Sequence, residues 1–207
     1  FYDDVQPLTE EEHRVISNID IAEERRLKFY GIKTFVCDLK GEKLKHAYYG
    51  EPSLNICGIT SGYQKEGSMT VLPAKASAKI DFRLVEKQDP IDILQKLRHH
   101  LDVNGFNNVE IAWHEGYPAA KTPVDHPFVD IIAKANQQVF GHQLQVHPTN
   151  PGSGPLHLFK KYVPMVSIGV GDHDSRAHSP NESISLDNFV KSTKRLAVIM
   201  EEMSKWK

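Results

Sequence analysis

Ala74-Lys-Ala-Ser-Ala-Lys-Ile-Asp-Phe-Arg-Leu-Val85 alternates as far as Leu84 between two kinds of side chain. One set is Ala74, Ala76, Ala78, Ile80, Phe82 and Leu84. The other is Lys75, Ser77, Lys79, Asp81 and Arg83. A period of two sends the sets to opposite faces of a strand, and this predicts a half-buried antiparallel strand with a polar face. Just upstream, Ser53-Leu-Asn-Ile-Cys-Gly-Ile-Thr60 predicts a second strand with Leu54, Ile56 and Gly58 on one face; Gly62 to Gly67 is a turn or flexible loop. Downstream, Asp89-Pro90 opens a helix with the stripe Ile91, Ile93, Leu94, Leu97 and Leu101, and Asn104-Gly105 ends it. Val109 to Trp113 reads as a further strand. Strand, strand, helix, strand implies a small α+β unit with helices on one sheet face.

Further out the patterns are shorter. Thr9 heads Thr-Glu-Glu-Glu, an N-cap with acids in the first turn, and a second helical run covers residues 20–29. Thr34 to Leu39 is strand-like, and residues 40–52 are loop-like around Gly41, Gly50 and Pro52. A boundary is expected near Gly116-Tyr-Pro118, dividing residues 1–116 from 117–207. Beyond it, Asp125-His-Pro127 begins a helix to about Gln138, closed by Gly141. Gln143 to His147 and Val163 to Ile168 read as strands, and residues 185–205 as a long amphipathic helix. Alternating strands and helices predict a parallel α/β segment, here incomplete.

Composition excludes several classes. The chain has 207 residues, 40% of them hydrophobic and 25% charged, which is ordinary for a globular protein. Net charge is −2, giving no basic field for nucleic acid. No apolar run approaches the ~20 residues that span a bilayer, so no membrane partner is expected. Two cysteines, Cys37 and Cys57, make no disulfide framework. They are expected to pack as small apolar residues in a reducing cytoplasm. Trp113 and Phe140 are expected in the core. The first residues, Phe-Tyr-Asp-Asp, show no signal-peptide pattern, and the chain reads as cut from something longer.

Three places could carry chemistry. Asp172-His-Asp-Ser-Arg-Ala-His178-Ser-Pro-Asn-Glu182 lies between a strand-like run and a helix, where α/β proteins bind ligands. His178 suits a metal, or the segment is a solvated loop that caps the next helix. Asn150-Pro-Gly-Ser-Gly-Pro155 is either an anion cradle or an ordinary turn. Arg83 can take a carboxylate bidentately, or pair with Asp81. His114 and His126 read as capping or surface residues.

Several segments, in order, resemble the C-terminal part of the M20 metallopeptidase family, whose members include carnosinase-like dipeptidases and aminoacylases. They are Pro52 to Ile59, Thr70 to Ala76, Asp81 to Val85, Gly152 to Pro155 and Ala177 to Glu182. The resemblance implies a lid that commonly dimerises, here residues 1–116, and the end of a catalytic domain, here 117–207. It implies two divalent metals, zinc or manganese, with His178 as a terminal ligand. It gives Arg83, with Gly152 and Ser153, the carboxylate of a peptide or acyl amino acid substrate. Thr70 would reach the partner subunit's active site, and Asn55 and His114 would line the cleft. The family's other ligands and its general base lie before the lid, upstream of Phe1, so no catalytic residue and no dinuclear site are expected in this chain alone. Pro151 stands where carnosinase-like members have glycine. The rival expectation is a non-catalytic dimerisation or interaction module.

Overall fold

Helix ends follow the capping residues closely. A computed structural model describes residues 1–150, 152–172 and 174–206. Its helices are α1 (Glu10–Ser17), α2 (Glu23–Tyr30), α3 (Gly41–Gly50), α4 (Pro90–Val103), α5 (Pro127–Phe140) and α6 (Leu186–Ser204). The strands are β1 (Ser53–Ser61) and β2 (Ala76–Arg83). Thr9 closes a capping box with Glu12 at α1. Asp89 accepts the Ile91 and Asp92 N–H groups at α4, His126 accepts the Phe128 N–H at α5, and Ser185 starts α6. Gly141, at φ 77°, closes α5 in the left-handed conformation that glycine adopts without penalty.

The described residues form two compact units, Phe1–Leu8 with His46–Ala120, and Thr9–Lys45 with Lys121–Lys207. In the first, β1 and β2 pair antiparallel, with Leu54 opposite Phe82 and Ile56 opposite Ile80. A bulge at Cys57 then shifts the register, so Gly58 faces Lys79 and Ile59 faces Ala78. The extra residue resets the alternation. Gly58 therefore joins the polar face, not the apolar face assigned to it from periodicity, and Ile59 joins Leu54 and Ile56. Tyr49 and Ile93 are buried. Gln88 is buried as well; its Nε2 donates to the Phe1 carbonyl at 2.8 Å, and the Phe1 ring meets Phe82 edge-on.

The second unit buries Ile16, Ile19, Ile21 and Leu44. Its α5 and α6 pack around Ile132, Ala135 and Ile199, joined by Phe128, Leu144, Val166 and Ile168. The buried Glu12 pairs with Lys121 and accepts the Thr9 N–H at 2.9 Å. Burial pushes the Glu12 carboxyl up, but Lys121 and the Thr9 N–H outweigh it and hold the carboxyl below its ordinary range.

Several expectations are corrected. The sheet among the described residues has two strands, and neither face is covered: Ile56 is 58% exposed and Ile59 70%. The half-buried strand is thus an exposed one. Residues 109–113 form no ladder; at their start Arg98 donates to the Val109 and Phe106 carbonyls with Nη1 and Nη2. Residues 34–39 hold a 3-10 turn with Cys37 and Asp38 at positive φ, not a strand. Residues 143–147 and 163–168 join no strand ladder; the Met165 N–H donates to the Thr122 hydroxyl at 2.8 Å, and Val166 and Ile168 pack on the α5–α6 cluster. Residues 41–50, expected as loop, are helical. Between the glycines lie good helix formers, and Glu23 Oε1 accepts the Gly41 N–H at 2.7 Å. Cys37 and Cys57 are exposed, as is Trp113, whose ring lies against Gly116. A side chain at Gly116 would come within 2.9 Å of Pro90.

Candidate functional site

In the first unit, the register places Asn55 opposite Asp81 and Ser53 opposite Arg83. Opposite residues share a face, so Asn55, Asp81 and Arg83 form one polar patch at the end of the hairpin. Arg83 Nε donates to Asp81 Oδ2 at 2.8 Å, and both side chains are a little over two-fifths exposed. The pairing read as the alternative for Arg83 is therefore present. It engages Nε of the guanidinium. Thr70 lies in the long β1–β2 connection, in a tight turn in which the Val71 N–H donates to the Met69 carbonyl. Thr70 and His114 are both exposed.

In the second unit, Gly152 and Ser153 are exposed. The Gly152 N–H donates to Asn150 Oδ1 at 3.0 Å, so the amide that an anion would use is held by the Asn150 side chain. A 3-10 turn, Pro155–Leu158, follows directly. Pro151 lies outside the described residues. His178 is exposed, at φ 62°, and its N–H donates to Glu182 Oε2 at 3.4 Å. Its loop is organised by Asp172. Asp172 Oδ1 accepts the Asp174 N–H at 3.0 Å and the Ser175 hydroxyl at 3.2 Å, and Asp172 Oδ2 accepts from Asn188 at 3.4 Å. Sequence reasoning passed over Asp172 in this role; the Asp-x-Asp-Ser spacing of a side-chain turn was the available signal. His173 lies outside the described residues. His126 caps α5, as its sequence position implies.

An open depression of about 570 Å³ lies in the second unit, between the starts of α2 and α3. Residues 19–25, Gly41, Glu42 and Lys45 line it, and none of the sequence-predicted site residues does. Among the described residues, no three His, Cys, Asp or Glu side chains converge as metal ligands would.

The sequence matches peptidase family M20/M25/M40 over residues 5–202. A "Beta-Ala-His dipeptidase" of Rattus norvegicus is 30% identical over 99% of this chain, and a "Cys-Gly metallodipeptidase DUG1" of Saccharomyces cerevisiae is 29% identical over 97%. The structure of an M20 family metallo-carboxypeptidase, Sso-CP2 from Sulfolobus solfataricus, superimposes with a TM-score of 0.89 at 36% identity, over 97% of this chain. The chain spans 43% of each dipeptidase and 46% of the carboxypeptidase chain. The chain belongs to peptidase family M20/M25/M40.

Proposed function

We propose that this chain supplies the carboxylate-recognising residues of a two-metal peptidase that hydrolyses dipeptides or N-acyl amino acids. The observation that carries the reading is the family match across both units, with relatives named as dipeptidases. It speaks against the rival reading, a non-catalytic interaction module. In the proposal, residues 1–116 act as lid and 117–207 as the end of the catalytic domain. The site lies in a polypeptide of the relatives' full length, in a cytoplasmic homodimer associated through the lid.

Arg83 holds the substrate's terminal carboxylate bidentately, with Asp81 fixing the guanidinium. The Gly152 N–H and Ser153 hydroxyl take a carboxylate oxygen once Asn150 releases the amide. Asn55, beside Asp81 on the sheet, and His114 line the cleft, and Thr70 serves the partner's site. His178 is a metal ligand. A zinc or manganese pair would polarise the scissile carbonyl and acidify water. The residues of this chain do not by themselves fit such a pair: a catalytic zinc takes three protein ligands, and the described chain offers the exposed His178 singly. What these residues do unaided is grip and orient the carboxylate end of the substrate.

Comparing a dipeptide with its C-terminal amide in the full-length enzyme tests this reading. Wild type should strongly prefer the free acid, and Arg83→Ala should erase most of that preference. An undiminished preference in Arg83→Ala would remove Arg83 from carboxylate recognition.

A further inference from the structure

Arg195 is a cation placed where an apolar side chain would be the simpler choice. It is 6% exposed on α6, with its guanidinium carbon 5.1 Å from the centre of the Phe140 ring. Burial pushes its pKa below the ordinary value. Two of its donors go to neutral acceptors, and Nε, also buried, has none among the described residues. Nη1 donates to Asn136 Oδ1 on α5 at 3.0 Å, and Nη2 to the Gly169 carbonyl at 2.8 Å. Asn136, also buried, donates onward to the His142 carbonyl at 3.1 Å. A guanidinium buried without a carboxylate is costly, so it needs a compensating task.

The Gly169 carbonyl marks the take-off of the loop 170–182, which carries His178. That loop holds three non-glycine residues at left-handed φ: Arg176 at 52°, His178 at 62° and Asn181 at 64°. Such conformations persist where the surroundings over-determine them. At the loop's start, α6 supplies the restraint. Asn188 binds Asp172 and Arg195 binds Gly169, seven positions apart on the helix. Within the loop, the buried Ser175 accepts the Asp172 N–H on its hydroxyl at 2.7 Å and the Ser183 N–H on its carbonyl at 3.0 Å.

We propose that Arg195 is a positioning residue: with Asn136 it fixes the start of the 170–182 loop on α6, and so fixes His178. The proposal rests on the reading above only in giving His178 a task. The test is amide hydrogen exchange by NMR on the 207-residue chain without added metal, read at Asp172, Ser175 and Ser183 and at the central amides of α5 and α6. Arg195→Met should speed the three loop amides by about ten- to a hundredfold, the range for a buried hydrogen bond to a charged group, while the helix amides stay near wild type. Arg195→Lys, which keeps one donor, should fall between. Ile132→Ala, which opens a cavity between the helices, should speed the helix amides and spare the loop. Loop and helix amides rising together in Arg195→Met, or loop amides within about threefold of wild type, would overturn the proposal. If Arg195→Met fails to fold, the same two readings of Arg195→Lys decide. In the full-length enzyme, a metal content unchanged by His178→Ala would remove His178 from the metal site and leave the exchange result intact.

Discussion

Arg83 and Asp81 stand two residues apart on one strand, so their pairing was legible in the sequence, and the structure confirms it at 2.8 Å. The pair is well exposed, so its worth to stability is small; its consequence is orientation. In the full-length enzyme, Arg83→Ala should lower kcat/KM by about 30- to 1000-fold, or 2–4 kcal/mol, the scale of a bidentate charge-assisted contact. Steady-state kinetics showing less than about threefold would contradict the role. Glu12 and Lys121 were not legible as a pair, because nothing in their sequence separation marks them as neighbours. The folded carboxyl of Glu12 lies below its ordinary 4.5. A depressed folded value contributes stability above the unfolded value and loses it as pH falls through the folded one. Chemical denaturation should therefore show stability dropping as the solution is acidified below about pH 4.5, and Glu12→Gln should flatten that slope. The same variant should cost about 1–3 kcal/mol at neutral pH, since a neutral amide replaces the carboxylate that Lys121 and the Thr9 N–H bind.

At the scale of elements, capping chemistry was the reliable guide. Thr9, Asp89-Pro90, His126-Pro127, Gly141 and Ser185 each mark an observed helix end. Removing one cap, Asp89→Ala, should cost about 1 kcal/mol in denaturant melts. The helix α3 was hidden because its bounding glycines outweighed the formers between them. The expected strands at 109–113 and 163–168 failed for a different reason: a strand pattern marks a segment fit for pairing, and pairing needs a neighbour. The bulge at Cys57 was also invisible to strict alternation, although it is what aligns Ile59 with Ile56. The aligned face, Leu54, Ile56, Ile59 and Ile80, is 40–70% exposed. If the lid reading is right, this hairpin pairs with a second copy, since an open two-stranded sheet is marginal in water. Light scattering at tens of micromolar should show a species above 23.4 kDa, and Ile59→Lys should return it to that mass. A wild-type chain that stays at 23.4 kDa would rule out self-association of this chain.

At the scale of the whole molecule, the family was legible from five short motifs in order, and the match over residues 5–202 bears it out. The division of labour was less so. The candidate residues Asn55, Thr70, Arg83 and His114 belong to one compact unit, and Gly152, Ser153 and His178 to the other. A linear motif does not report which unit carries it when the units are discontinuous in sequence, as Thr9–Lys45 illustrates by joining Lys121–Lys207. The central claim is that these residues serve a dinuclear peptidase centre which this chain does not complete. Equilibrium dialysis of the 207-residue chain against zinc, paired with a dipeptide hydrolysis assay, tests it most directly. The account predicts at most weak zinc binding, no stronger than an exposed imidazole gives, and no turnover. Two tightly bound zinc ions per chain, or turnover that survives repurification and is lost in His178→Ala, would contradict it.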